Sequence, residues 1–468
     1  MSISVNNSVN NIDCSSIYFT GIFGSGMSAI AQYLACKGLK ISGSDRLIDA
    51  PDSAKVKQSL IECGCKIFPQ DGSGITNETS AVCVSTAIEE SNPDIAAARK
   101  LGIETVHRSD VLAALVRDSK SIAVAGTSGK STVTAMIFEL LTACGISPSL
   151  ISGAALRSLE QKGMLGNAFC GESDILVIEA DESDGTLVKY SPYASVILNI
   201  SKDHKPQEEV FKMFERLITQ SKWSTINGDD HGLSGLRADS TFGFDEKVNF
   251  KGIKTKLEAM QSTITVNKKS FTLPIPGEHN ASNLLAALCV CEHFGCNSDT
   301  LATASANYKG VDRRFSITRT KSGVTVIDDF AHNPEKIRAA VETAKNLSKK
   351  LIAIYQPHGF GPTRFLKNEY AQTFKSIFRS SDTLCLLPIY YAGGTAVKDI
   401  ESQDIINLMG DVDFKAAAVK DRDEALAFVR NQSVDQDSSV ILMGARDPSL
   451  SGFARKIADV FGGESFQR

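Results

Sequence analysis

"AVAGTSGKSTVTAMI", residues 123–137, runs from small apolar residues through a glycine-rich turn into a helical pattern. Upstream, "SIAVA" reads as a buried strand; downstream, "TVTAMIFELLTA" reads as a helix. Between them lies "GTSGKST", Gly126–Thr132. In that setting glycines let backbone N–H groups close around phosphate oxygens, and the helix N-terminus adds partial positive charge. Lys130 then reaches the outer phosphates and the Ser131 hydroxyl suits Mg²⁺. The spacing is unusual. A common phosphate loop has a glycine five residues before its last one, and here Val124 stands in that place. Gly126, Thr127, Ser128, Gly129, Lys130, Ser131 and Thr132 are therefore expected to hold a nucleotide through a compressed loop.

Outward from this loop the chain alternates strand and helix patterns three times, which implies doubly wound parallel sheets. The expected class is α/β with three domains: a Rossmann-like one over 16–115, a central P-loop-type ATPase over 116–312 and a Rossmann-like one over 313–468. The first opens with "SIYFTGIFGSGMSAIAQYLACKGLKISGSD", a strand, glycine turn, helix and strand. Within it Gly24, Gly26 and Ala29 fit a dinucleotide-type turn, with Asp45 ending the next strand about 20 residues on. Two phosphate turns in one chain suggest two different nucleotides. The central segment continues with "ILVIEADESD" and "VILNISKDH", apolar strands ending in Glu179, Asp181, Glu182 and Asp184, and in Asp203 and His204. Ligands gather beyond strand C-termini in such sheets, so Glu179 and His204 are expected at a metal or nucleotide. A Lys-rich, β-patterned patch follows at "KVNFKGIKTKLEAMQSTITVNKKSFTLPIPG".

The bulk numbers narrow the possibilities. With 468 residues, 42% hydrophobic, 22% charged and a net charge of −4, the chain reads as a multidomain globular protein without a nucleic-acid footprint. No apolar run is long enough for a bilayer, and the polar start "MSISVNNSVNNIDCSS" lacks a signal-peptide plan and reads as a loose arm. The 11 cysteines lie mostly in apolar surroundings, as expected of reduced thiols in a cytoplasm. "CVCEHFGC" gathers Cys289, Cys291, His293 and Cys296, but on a helix the first two point about 200° apart, so buried cysteines are preferred to a zinc site.

Ordered motifs along nearly the whole chain resemble the bacterial Mur ligases of peptidoglycan assembly, most of all their alanine-adding members. These are "GIFGSGMSAIAQYL", "STAIEESNP", "VHRSDVLAAL", "AGTSGKST", "EADESD", "LNISKDH", "PGEHNASNLLAA", "GVDRRF", "IDDFAHNP", "YQPHGFGPTR" and "LLPIYYAGG". The compressed loop matches that family's G-T-x-G-K-[ST]-[ST]. The resemblance implies a cytoplasmic ATP- and Mg²⁺-dependent amide ligase, monomer or homodimer, with no nucleic-acid or membrane partner. It would join L-alanine or a related amine to the carboxylate of UDP-N-acetylmuramate through an acyl phosphate. The alternatives are a recycling ligase that attaches a tripeptide, or a divergent ligase with another acceptor.

Carried over by position, Lys130, His204, Arg314 and His332 would be catalytic, and Ser131, Glu179 and His204 would bind Mg²⁺. His279, Asn280, Asn283, Arg314, Asp328 and Asp329 would join the loop around ATP. Gly24, Ser25, Gly26, Asp45, Ser85, Arg108 and Glu182 would hold the sugar nucleotide, with His358 and Arg364 at the acceptor. Three departures bear on that acceptor. Ser201 replaces an acidic residue, with Lys202 and Lys205 nearby, which either shift the metal's charge balance or face solvent. Gly359 and Pro362 stand where the alanine-adding members carry arginines that would grip a carboxylate, and Arg446 in "GARDPSL" is the candidate substitute. Asn333 replaces a second histidine. An NAD-dependent oxidoreductase would leave "GTSGKST" unexplained, and a regulatory GTPase would need an N-K-x-D motif that the chain lacks.

Overall fold

A computed structural model describes residues 4–6, 11–13, 15–201, 205–258, 260–391, 397–447 and 449–467. The chain forms two compact units: Met1–Leu257 with Ser262–Pro274 and Glu278–Val311, and Glu258–Gln261 with Ile275–Gly277 and Asp312–Arg468.

The first unit holds two main sheets. One has five parallel strands in the order Lys66–Phe68, Lys40–Ser44, Ser16–Thr20, Ala81–Val84 and Thr105–His107. Its chain order reverses between Ser16–Thr20 and Ala81–Val84, so the "GIFGSG" turn opens at the switch point where such sheets bind ligands. The other sheet has ten strands. Its phosphate-loop strand Lys120–Ala125 lies between Ile175–Glu179 and Ala194–Ile197, both parallel to it. That order puts the ends of "ILVIE" and "SVI" on either side of the loop. The Lys-rich patch extends the same sheet as Phe250–Leu257, Ser262–Val266 and Lys269–Leu273, an antiparallel meander.

Helix Gln207–Gln220 shows why the local pattern suffices. Val210, Met213, Phe214, Leu217 and Ile218 recur at helical spacing and are buried, while Glu208 and Glu209 in the first turn suit the helix dipole. A continuous apolar core runs through this unit, including Phe19 and Ile30 under the first sheet and Ile178 and Phe214 under the second. Each such side chain contributes about 1.5–3 kcal/mol by leaving water.

The second unit is built on a seven-stranded sheet. Lys415–Ala418, Thr383–Leu386, Lys350–Gln356, Ser438–Gly444 and Thr325–Asp329 run parallel, with Ser316–Thr320 and Glu464–Gln467 antiparallel at one edge. The α/β reading holds, with largely parallel sheets in both units. The start of the chain differs from expectation: Ser4–Asn6 pairs antiparallel with Asn11–Asp13, so this arm is not wholly loose. Backbone groups satisfying one another across a pair leave no mark in a polar composition. Among the described residues no helix is long and apolar enough to cross a membrane.

Candidate active site

Helix Lys130–Ala143 begins directly at the phosphate turn. Gly126 and Gly129 have φ of +144° and +83°, a region that only glycine enters without strain. Space is as restrictive as torsion. A Cβ on Gly126 would lie 3.0 Å from Leu198 Cβ, and one on Gly129 would lie 2.7 Å from Asn283 Oδ1. The loop is braced by Asn199: its Oδ1 accepts from Ser128 N and Thr127 Oγ1, each at 2.9 Å, and its Nδ2 donates to Ser128 O at 3.0 Å. Ser201 N donates to Thr127 Oγ1 at 3.0 Å and the two hydroxyls are also 3.0 Å apart, so Ser201 helps to brace the loop. Thr132 O accepts from Tyr308 OH at 3.4 Å.

Lys130 Nζ donates to Gly126 O at 2.8 Å and to Glu182 Oε2 at 2.7 Å, with Asp181 Oδ1 at 3.5 Å. Burial would lower its pKa, but Glu182, Asp181 and Glu179 outweigh that and raise it, so Lys130 stays an ammonium. Burial raises the Glu182 carboxyl, against the pull of Lys130. Ser131 Oγ donates to Glu179 Oε2 at 3.0 Å, while Ser152 Oγ and Gly153 N donate to Oε1 at 2.6 and 2.9 Å. A hydroxyl and a carboxylate side by side at a helix N-terminus form a hard-oxygen donor pair. His204, with Lys202 and Asp203, lies outside the described residues. Lys205 pairs with Glu209 at 2.7 Å.

On helix Glu278–His293, Asn280 and Asn283 are buried and His279 is exposed. Asn283 lies against the loop, at Gly129. The "CVCEHFGC" residues part ways, as side-chain direction on a helix suggested. His293 stacks on Trp223 with ring centroids 3.9 Å apart, Cys289 meets Thr225 Oγ1 at 3.6 Å, and Cys291 is fully buried.

At the first glycine turn, Gly24 and Ser25 are exposed and Gly26 lies beneath Arg108, whose Nη1 would be 3.0 Å from a Cβ placed there. Arg108 also donates to Asp184 Oδ2 at 2.9 Å, which ties this turn to the "EADESD" loop. Asp45 is spent locally: Phe23 N and Leu47 N donate to its two oxygens, each at 3.0 Å. It braces the turn, a use that the dinucleotide pattern alone does not suggest. Ser85 is half-buried just past strand Ala81–Val84, its carbonyl closing a turn to Ile88 N. Sequence reading missed two residues here. Asn167 Nδ2 donates to Ser25 O at 2.9 Å and its Oδ1 accepts from Gln32 at 2.9 Å, fastening the turn's helix to the central sheet. Asp94 is fully buried, accepting from Thr20 Oγ1, Ser44 Oγ and Gly72 N.

In the second unit, Arg313 and Phe315 hold φ of +55° and +52° on either side of Arg314. Arg313 is buried against Asp328 at 3.3 Å and donates to the carbonyls of Gly444 and Asp447. Burial pushes the Asp328 carboxyl up to about 6, against the pull of Arg313. The Asp329 oxygens accept from Phe315 N and Ala331 N at 2.8 and 2.7 Å. Both aspartates thus shape the strained loop that presents Arg314, whose guanidinium lies 4.7 Å over the Phe330 ring. His332 and His358 face each other edge to face at 5.5 Å. Asn333 caps helix Pro334–Lys345, its Oδ1 accepting from Lys336 N at 3.0 Å, which accounts for that departure. Gly359 has φ +70° at the start of helix Phe360–Ile377, a backbone that disfavours an arginine. Arg364 is paired with Asp399 and bonded to Val397 O. Arg446 is exposed at the end of strand Ser438–Gly444, with φ +56°.

Comparison with known proteins finds matches along most of the chain. A model of the Mur ligase family catalytic domain matches residues 16–120, one of the Mur ligase middle domain matches 124–291, and one of the Mur ligase glutamate ligase domain matches 313–446. The chain belongs to the Mur ligase family. Mur ligases are ATP-dependent enzymes that form amide bonds. This Mur ligase is 34% identical over 454 residues to the UDP-N-acetylmuramate–L-alanine ligase of Streptomyces griseus, covering 92% of this chain and 94% of that one. It is 31% identical to the enzyme of the same name from Rhizobium etli, over 92% and 93%. The crystal structure of the UDP-N-acetylmuramate-alanine ligase from Thermotoga maritima matches with a TM-score of 0.78 at 26% identity, covering 96% and 99%.

Proposed function

We infer that this Mur ligase joins L-alanine to the carboxylate of UDP-N-acetylmuramate, with ATP cleaved to ADP and orthophosphate. The observation that carries this is full-length similarity, at 31–34% identity, to relatives named for that reaction. We assign the work to three domains, over 16–115 for the sugar nucleotide, 116–312 for ATP and 313–468 for the acceptor.

A carboxylate is a poor electrophile, so the reaction needs an activated form. A carboxylate oxygen attacks the γ-phosphoryl group, ADP leaves, and an acyl phosphate results. The amine nitrogen then attacks the acyl carbon, and orthophosphate leaves. Positioning and charge do most of the work in such a transfer. In this reading the backbone N–H groups of Gly126–Lys130 bind phosphate oxygens, and Lys130 exchanges its bond to Glu182 for one to phosphate. Ser131 and Glu179, with His204, would hold Mg²⁺, and their adjacent hard oxygens fit that ion. Bound there, Mg²⁺ would neutralise charge developing on the phosphoryl oxygens. Arg314 would add cationic stabilisation, and Gly26 with Arg108 would contact the sugar nucleotide. His279, Asn280 and Asn283 would flank the ATP base, and His332, His358, Arg364 and Arg446 would serve the incoming amine.

The test is an amine panel of L-Ala, L-Ser, Gly and a tripeptide, supplied with UDP-N-acetylmuramate, ATP and Mg²⁺ and read by product mass. The expected outcome is an L-alanyl conjugate formed with the highest kcat/KM. A conjugate formed only with the tripeptide would overturn the assignment in favour of a recycling ligase, which the Gly359 and Pro362 departures would then explain.

A further inference from the structure

The stretch beyond strand Ile175–Glu179 reaches across to the first turn of helix Arg108–Arg117. Arg108 Nη2 donates to Asp184 Oδ2 at 2.9 Å, and Lys189 Nζ donates to Ser109 Oγ and Asp110 Oδ1 at 3.2 and 2.6 Å. Three consecutive residues at the helix start are thus gripped from one short segment, residues 184–189. Asp184 is itself fixed. Thr186 N and Thr186 Oγ1 both donate to its Oδ1, at 2.9 and 2.6 Å, which leaves Oδ2 to the guanidinium. Gly185 makes the turn between them with φ +73°. On its other edge, Arg108 Nη1 would lie 3.0 Å from a Cβ at Gly26, so the guanidinium fills the space that a side chain on the first glycine turn would need. The Arg108 and Asp184 side chains are 28% and 15% exposed, so water competes with this pair less than with a surface ion pair.

We propose that Asp184 is a positioning residue for the sugar nucleotide: it holds the Arg108 guanidinium over the first glycine turn, with the Nη1 edge turned to the anionic groups of that substrate. The inference rests on the reading of Arg108 as a contact to UDP-N-acetylmuramate. A guanidinium presents its N–H donors in a rigid fork, so a carboxylate can hold one edge while the other serves a ligand. An arginine held before the ligand arrives loses less rotamer freedom on binding than a free one. The carboxylate also works in the opposite sense, because its charge weakens the pull of Arg108 on an anion. The two donors from Thr186 offset part of that charge, so orientation is the larger effect. Lys130 pairs instead with Glu182 and Asp181, so the influence of Asp184 falls on the sugar nucleotide and spares ATP.

The experiment measures UDP-N-acetylmuramate binding to the full-length protein by calorimetry, with a non-hydrolysable ATP analogue present, and KM values by orthophosphate release. Asp184→Ala should weaken sugar-nucleotide binding and raise its KM by about 10-fold or more, with kcat and KM for ATP within about twofold of wild type. In an Arg108→Ala background the same substitution should have no further effect, because its influence runs through the guanidinium. Thr186→Val removes one of the two donors that fix Asp184 and should weaken binding by a smaller factor, which decides the matter if Asp184→Ala does not fold. Unchanged or tighter binding in these variants, an equal rise in KM for ATP, or an undiminished effect of Asp184→Ala without Arg108 would overturn the proposal. A wild type that does not bind UDP-N-acetylmuramate would overturn the functional reading, and the proposal with it.

Discussion

Replacing Gly129 by alanine perturbs the phosphate loop in two separable ways. The new Cβ must adopt a φ of +83°, which costs a non-glycine residue about 1–2 kcal/mol. It would also sit 2.7 Å from Asn283 Oδ1 and 3.3 Å from Leu198 Cδ1, so the loop or Asn283 has to move. A displacement on the order of 1 Å at reacting groups is worth about 10²-fold in rate. Gly129→Ala should therefore lower kcat/KM for ATP by about 10²-fold and cost about 1–2 kcal/mol of stability. The assay is orthophosphate release with ATP varied, beside denaturant unfolding. Combining it with Asn283→Ala removes the collision but not the torsional strain, so the double variant should lose less than the sum of the singles, by about 1 kcal/mol. Wild-type kcat/KM in Gly129→Ala would refute the assignment of this loop to phosphate. Strict additivity would refute the contact with Asn283.

Lys130→Met should reduce kcat by at least about 10³-fold and lower the unfolding temperature, because Glu182 and Asp181 lose the cation between them. Adding Glu182→Gln should restore much of the stability and none of the turnover, as read by thermal unfolding and phosphate release. Asp328 has a folded-state pKa moved up to about 6 from 3.8, so the native state binds the proton more tightly than the unfolded chain. Its contribution is fully present below about pH 4 and falls by about 3 kcal/mol in all as the pH rises through 6. Asp328→Asn should flatten the unfolding midpoint over that window, and parallel wild-type and variant curves would contradict this. Arg446→Gly should raise KM for the amine while leaving KM for ATP unchanged, and relief of its left-handed backbone should add about 1 kcal/mol of stability. An unchanged amine KM would remove Arg446 from acceptor binding.

Local signals were enough wherever neighbouring residues do the work. The strand, glycine turn and helix around Lys130 are contiguous, and the meeting of Ser131 with Glu179 follows from adjacent parallel strands, Glu179 pairing with Val124. The Lys-rich patch was legible as strand because alternation is a short-range pattern. What escaped was long-range or depended on one torsion. Asn167 reaches Gln32 across 135 residues, and Asn199 reaches Ser128 across 71. No spacing rule connects such pairs. Arg313 and Arg314 look alike as letters, yet a left-handed φ and a buried Asp328 commit the first to structure. Asp45 likewise ends its strand where a ribose ligand would be expected, but two backbone N–H groups already engage its carboxylate.

Activation of a carboxylate by phosphoryl transfer leaves an isotopic trace that binding cannot imitate. UDP-N-acetylmuramate carrying ¹⁸O in both carboxylate oxygens should, on incubation with the enzyme, ATP, Mg²⁺ and L-alanine, pass one ¹⁸O to orthophosphate for each amide formed. Mass analysis of the phosphate decides it. Orthophosphate with one ¹⁸O, matched by an L-alanyl conjugate retaining the other, is the predicted result. Unlabelled orthophosphate, or phosphate released with no conjugate, would contradict it.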